Sequence, residues 1–318
     1  MDDTKSANNA QLEIMVKVAQ LYYEYGHTQH EIAKELKLSR SNVSRMLSKA
    51  RRINLVEIKI NYPWLYNSDL ETELKKKYPL KDVRVLESNS LDSAGMLQGI
   101  GILGAELLEK YLKDDLTLGM ARGTGVYSAV QALRPQRHLR IRIAQMQGAL
   151  GEKLSDGSDV AYFLSTRYDA IFHFIHAPLI LESIESREAL LREPSIQETL
   201  RIAENADLAL VGIGALVPAV SNLLRTGNLS KQELQTIAKQ GSIGDVAGCY
   251  IQANGTSPDV DIAKRQICLD LSALRRIPII IGVAGGKLKA PAIKAALRGK
   301  LVNVLATDSV AAEELIKT

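Results

Sequence analysis

Apolar residues recur at the three-and-four spacing of helices through the first fifty residues. Beyond residue 81 they fall into short unbroken runs separated by amphipathic stretches. Leu12, Met15, Val16, Ala19, Tyr22 and Tyr23 predict a helix stopped by Gly26, behind a polar, disordered lead of residues 1–10. Two shorter helices follow with only Lys37-Leu38 between them. The first opens on Thr28 with Glu31 three residues on, a capping-box pair, and the second on Ser39, a good N-cap residue. Ile32, Ala33 and Leu36 are spaced to pack against Leu38, Val43 and Leu47. Val56, Ile58 and Ile60 then alternate with Glu57 and Lys59, the pattern of a half-buried strand, and predict a wing behind the helices. Leu65, Leu70 and Leu74 predict a charged helix up to Pro79, a linker or dimerising helix. Its Lys75-Lys76-Lys77 run reads as a solvated C-terminal turn favoured by the helix dipole.

The later runs predict strands over 82–86, 116–120, 141–146, 170–175, 208–213, 278–283 and 302–306. Helices are expected over 93–112, up to 133, over 289–298 and at the C-terminus. Nearly continuous apolar strands alternating with helices make an open parallel sheet covered on both faces. The expected fold class is α/β: a winged helix-turn-helix over residues 1–62, a linker helix over 63–80 and a larger Rossmann-like sheet domain over 81–318.

Composition narrows this little. The 318 residues are 46% hydrophobic and 24% charged, with a net charge of +4, too mild to argue for nucleic acid by itself. Cys249 and Cys268 lack metal-like spacing and read as separate thiols of a reducing cytosol. There is no apolar leader, and no apolar run approaches the roughly 20 residues of a membrane span, so a cytoplasmic protein without membrane contact is expected.

The placement of charge says more. From Ser39 to Arg52 the last of the three helices carries Arg40, Arg45, Lys49, Arg51 and Arg52 and no acid. Apolar on one side and basic on the other, it has the make-up of a recognition helix for double-stranded DNA. Arg40, Ser41, Asn42 and Arg45 are early enough to reach bases, and Ser44 is counted among the DNA-binding residues. Lys49, Arg51 and Arg52 suit phosphates, as do Thr28 and Gln29 at the start of the preceding helix.

In an open parallel sheet, ligands bind at the carboxyl ends of strands. Arg122-Gly123-Thr124-Gly125 joins a strand to a helix there, and its glycines and helix N-terminus suit an anion. It is neither a Walker A loop nor GxGxxG, and such a turn is more often only a turn. Gln147-Gly148, Asp245 and Lys287 also follow or flank strands; alone they read as a turn, a helix cap and a surface lysine. Together they predict a pocket for a small polyhydroxylated anion. His173 and His176 have no third ligand in sight, no GxSxG elbow occurs, and no general acid–base pair stands out, so neither a metal, a cofactor nor a catalytic residue is assigned.

The stretch from Ile14 to Gln29, with its Ala19-Gln20-Leu21-Tyr22-Tyr23, then Thr28-Gln29 to Leu36 and Ser44-Arg45-Met46-Leu47, resembles the SorC/DeoR family of sugar-responsive bacterial transcription regulators. The resemblance continues through Asp207 to Gly214, Gly241 to Gly248 and Gly282 to Lys287. It implies an effector domain similar to glucosamine-6-phosphate deaminase and related sugar-phosphate isomerases, binding a phosphorylated sugar or sugar-like signal, in a tetramer that represses or activates a catabolic operon. By motif position Arg122 to Gly125 would hold the phosphate, and Asp245 and Lys287 would line the pocket near Gln147 and Gly148. The competing readings are an isomerase or deaminase with an appended helix-turn-helix, and an adaptor that uses its three helices for a protein partner. The first leaves the recognition helix without use, and the second leaves its five cations unexplained.

Overall fold

The computed structural model describes residues 3–53, 55–56, 66–135, 137–149, 160, 164 and 167–317. The chain divides into two compact units, Met1–Pro63 and Trp64–Thr318.

Among the described residues the first unit has three helices: α1 (Asp3–Tyr23), α2 (Gln29–Glu35) and α3 (Arg40–Arg52). α1 starts at Asp3, inside the stretch expected to be disordered. Val18 and Leu21 of α1, Ile32 and Ala33 of α2, and Val43 and Leu47 of α3 form its core. Leu12 and Tyr23, expected on the buried face of α1, are exposed instead. Thr28 accepts from the Glu31 backbone N–H while its own N–H donates to the Glu31 carboxylate, so the capping box closes. The predicted wing over 55–61 lies mostly outside the described residues.

The second unit is built on a sheet. Its elements are α4 (Ser68–Lys77), β1 (Asp82–Leu86), α5 (Ser93–Tyr111), β2 (Leu116–Met120), α6 (Thr124–Ala132), β3 (Arg140–Gln145), β4 (Asp169–His173), α7 (Ile184–Leu191), α8 (Pro194–Glu204) and β5 (Leu208–Ala215). They continue with α9 (Lys231–Lys239), β6 (Ser242–Val246), β7 (Cys249–Gln252), β8 (Ile279–Val283), α10 (Ala290–Arg298), β9 (Val304–Asp308) and α11 (Ser309–Ile316). Seven strands run in the order β1-β9-β8-β5-β2-β3-β4, every pairing parallel. The strand ends matter for function: β8, β5, β2 and β3 are neighbours, so their C-terminal loops open onto one place.

Apolar side chains pack both faces of the sheet. Leu103, Leu107 and Leu108 of α5 and Val126, Ala129 and Val130 of α6 cover one. Ala203 of α8, Ile293 and Leu297 of α10, Leu315 of α11 and Leu74 of α4 cover the other. α4, expected as a linker, therefore packs as part of the second unit: Leu74 is fully buried, and Lys75 donates to the buried Asp82 carboxylate.

Two features were not foreseen. β5 outruns its parallel partners, and residues Ile213–Ala215 pair instead with the antiparallel hairpin β6–β7. Its glycine- and aspartate-broken pattern carries no strand signal. Cys249 on β7 and Cys268 are joined in a disulfide, with Cα atoms 6.2 Å apart, which corrects the expectation of two separate thiols. The chain folds the Gln266–Leu269 segment back beside Met146–Gly148 and the hairpin, a proximity that a separation of 19 residues does not reveal.

Candidate functional site

Two surfaces carry the chemistry, one in each unit. In the first unit the turn Leu36–Ser39 redirects the chain between α2 and α3, with Lys37 in the left-handed region at φ 52°. Ser39 accepts from the Asn42 backbone N–H and starts α3. Val43, Leu47 and Ala50 turn inward. Arg40, Ser41, Ser44, Arg45, Lys49, Arg51 and Arg52 are exposed, as is Thr28; Gln29 and Asn42 are half-buried. The predicted residues of α3 thus share the helix surface left open by the core, in a segment with no acid between Arg40 and Arg52, while Thr28 and Gln29 stand at the start of α2.

In the second unit a cleft sits over the ends of β2, β3, β5 and β8. It is lined by Arg122, Gly123, Thr124, Gly125, Gln147, Gly212 to Gly214, Asn222, Leu223, Asp245, Val283 and Lys289. Six predicted residues meet there: the whole Arg122–Gly125 loop, Gln147 and Asp245. α6 begins at Thr124, and Gly123 before it gives no side-chain cap, so the first-turn N–H groups face the cleft with the positive end of the helix dipole. Arg122 adds a full positive charge. This end of the cleft suits an anion.

The other end is polar and titratable. Asp245 projects from β6, and burial pushes its carboxyl up to about 6 against the opposing pull of the Lys289 ammonium and the Gly248 N–H. Burial likewise lowers the Lys289 ammonium, which the Asp245 carboxylate partly offsets. Gln147 is 1% exposed, and its Oε1 has no hydrogen-bond partner among the described residues. A buried acceptor of this kind is costly until a donor reaches it. A ligand hydroxyl would supply that donor.

The structure moves two predicted residues out of the cleft. Lys287 is exposed and lies 3.6 Å from Glu314 of α11. The single turn Lys287–Lys289 rotates position 287 outward and brings position 289 in. Gly148 stands behind the wall, donating its N–H to Ile267 O at 2.9 Å; a Cβ there would meet Pro178 O at 2.4 Å. Lys289 and Asn222 are the polar cleft residues that sequence reasoning missed. A second lysine two positions after Gly285-Gly286-Lys287 was the available signal for Lys289; nothing in the sequence marks Asn222. Among the described residues no group of three or more His, Cys, Asp or Glu side chains is placed to hold a metal.

Comparison with known proteins covers both units. Residues 62–317 match the family model of a putative sugar-binding domain, Sugar-bind, and residues 16–52 match region 4 of sigma-70. The chain is 33% identical over 310 residues to the transcriptional regulator LsrR of Klebsiella pneumoniae, covering 96% of this chain and 94% of that one. It is 30% identical to the sorbitol operon regulator of Klebsiella pneumoniae, over 98% of this chain and 99% of that one. The chain belongs to the SorC family of sugar-binding transcriptional regulators. The crystal structure of full-length SorC from Klebsiella pneumoniae superposes with a TM-score of 0.71 at 29% identity, across 96% of this chain and 99% of that one. The α/β fold and the helix-turn-helix are those of the SorC family, and among the described residues no helix is long and apolar enough to cross a membrane.

Proposed function

We propose that this SorC-family regulator controls a carbohydrate catabolic operon and that its signal is a phosphorylated sugar or sugar-like molecule held in the cleft over β2, β3, β5 and β8. The observation that carries this reading is the cleft's division of labour. An uncapped helix start with Arg122 and Thr124 suits the phosphate, while Gln147, Asp245 and Lys289 suit hydroxyl and carbonyl oxygens. Two relatives are named for related chemistry, one as a sorbitol operon regulator and the other as a deoxyribonucleoside regulator. Arg40, Ser41, Asn42, Ser44 and Arg45 read bases in the major groove; Thr28, Gln29, Lys49, Arg51 and Arg52 hold phosphates. The protein works in the cytoplasm as a homo-oligomer, a tetramer, which presents recognition helices in pairs to a two-fold operator.

The test is a thermal-shift series of sugar phosphates beside the same sugars without phosphate. Mass action raises the apparent stability for a true ligand. Phosphorylated members are expected to raise the Tm and their unphosphorylated counterparts to leave it in place; equal shifts from both would overturn the phosphate reading.

The Asp245–Lys289 pair also favours a second reading, catalysis on a sugar phosphate. A carboxyl poised near 6 beside an amine with a lowered pKa is an acid–base pair. Incubation with aldose and amino-sugar phosphates separates the two: regulation alone predicts unchanged substrate, and turnover would establish the enzyme.

A further inference from the structure

Accepting a sugar phosphate in the cleft, the next question is how its arrival reaches the DNA-reading unit. The cleft is tight, with about 30 Å³ open to water, room for about two water molecules. A larger ligand has to part its walls. The ends of β2, β3, β5 and β8 are each paired on both sides, whereas two of the walls are single helical turns, Asn222–Arg225 and Lys287–Lys289, and the second of these carries Lys289.

That turn is tied to a buried carboxylate. Gly286 N–H donates to Asp308 Oδ2, and a Cβ at Gly285 would lie 2.0 Å from the same oxygen. Asp308 is fully buried at the end of β9. Its Oδ1 accepts from Ser88 Oγ at 3.3 Å and caps α11 through Ala311 N–H at 3.1 Å. The next residue, Ser309, accepts from Ser88 N–H and donates to Glu87 Oε1 at 2.9 Å. Glu87 Oε2 accepts from Asn67 Nδ2 at 2.9 Å, and these bonds hold its carboxyl below the usual carboxylate range. Asn67 is the N-cap of α4, bonding Leu70 N–H at 3.0 Å. It stands four residues after Pro63, where the first unit ends.

A cap at Asn67 and a cap at Asp308 would each need only local bonds. The bonds from Gly286 to Asp308 and from Ser309 through Glu87 to Asn67 go further and join the cleft wall to the first turn of α4. We propose that Asp308 and Glu87 are positioning residues in a relay, Gly286–Asp308–Ser309–Glu87–Asn67, that transmits displacement of the Lys289 turn to the start of α4 and thence to the chain segment entering the DNA-binding unit. The relay rests on the cleft being the effector site, but its own connection is testable without ligand.

The experiment uses the full chain and hydrogen exchange. Gly285→Ala forces the turn off Asp308. It is expected to speed exchange not only over 285–289 but also at the first turn of α4, residues 68–72, by roughly three- to tenfold, the loss of about one hydrogen bond. In a Glu87→Gln background, where the side-chain amide has one acceptor oxygen and cannot accept from both Asn67 and Ser309, Gly285→Ala is expected to add nothing at α4. Asp308→Asn, which keeps the shape and one acceptor, serves as the second perturbation should Gly285→Ala fail to fold. Exchange changes confined to the turn and α11, or an α4 response identical with and without Glu87, would overturn the relay. Either outcome leaves the sugar-phosphate reading intact, because no sugar is present; a cleft that binds no sugar phosphate would leave the exchange result standing.

Discussion

Gly214 on β5 and Asp245 on β6 face each other so closely that a Cβ on residue 214 would lie 2.0 Å from Asp245 Oδ1. The empty position is what lets the carboxylate lie in the cleft. Gly214→Ala is therefore expected to displace Asp245, to weaken effector binding at least tenfold and to cost about 1–3 kcal/mol of stability, the usual range for overpacking. Thermal unfolding and an effector titration measure the two effects; unchanged affinity would mean that Asp245 does not need its present position.

Asp245 should also make stability depend on pH. Its folded value of about 6 lies above the ordinary carboxylate value of about 3.9. Between those values the folded protein holds more protons than the unfolded chain, so stability falls as pH rises through the window, and the whole cost is present above 6. Asp245→Asn is expected to raise the Tm at pH 8, by on the order of 1–3 kcal/mol in stability, and to leave it unchanged at pH 4. Loss of the countercharge for Lys289 sets the lower end of that range. A Tm difference of the same size at both pH values would exclude titration of Asp245 as its origin.

Periodicity revealed most of the architecture because the strands β1, β2, β5, β8 and β9 are buried on both faces and each covering helix on one. Val83 and Val85, Leu118 and Met120, and Ile281 and Val283 leave little choice of element. The β6–β7 hairpin escaped because Gly244 and Asp245 break any alternation, and its pairing depends on β5 outrunning its neighbours. The cleft was legible as a set of loops at strand ends. The exchange of Lys287 for Lys289 was not, since it depends on the rotation of one short helical turn. Nor was the Cys249–Cys268 bond, which depends on where the chain returns.

The helix-turn-helix offers a separate test at Lys37. Its φ of 52° puts a side chain in a left-handed turn, which costs a non-glycine residue about 1 kcal/mol. Lys37→Gly is expected to stabilise the first unit by a few tenths to about 1 kcal/mol, the flexibility of glycine in the unfolded chain offsetting part of the relief. Unfolding of the first unit, followed by helical signal in denaturant, measures it; destabilisation would show that Lys37 makes a contact worth more than the strain.

Arg45 separates reading from sensing. It is exposed on α3, one turn after Ser41 and on the side away from Val43 and Leu47. Arg45→Ala is expected to lose operator binding by about tenfold or more, as removal of a base contact worth 1–3 kcal/mol would do, with effector affinity untouched. Loss of both affinities together would indicate misfolding.

The two lysines after Gly286 make opposite predictions. Lys287 is an exposed partner of Glu314 at 3.6 Å, and exposed pairs contribute less than about 1 kcal/mol. Lys287→Ala should leave effector affinity within about twofold of the parent. Lys289 lies in the cleft wall beside Asp245, its ammonium held below the usual lysine range by burial. Lys289→Met keeps the length and apolar stem of the side chain but removes the charge and all three donors. Effector affinity should fall by at least about tenfold, the loss expected when a charged hydrogen bond worth 1.5–3 kcal/mol is removed, while operator affinity in the absence of effector stays near that of the parent. Titration of both variants with the same sugar phosphate, read by the Tm and by the fluorescence of Trp64, the single tryptophan of the chain, discriminates between them. A large loss in Lys287→Ala with none in Lys289→Met would return the effector contact to position 287 and reverse the assignment of the turn.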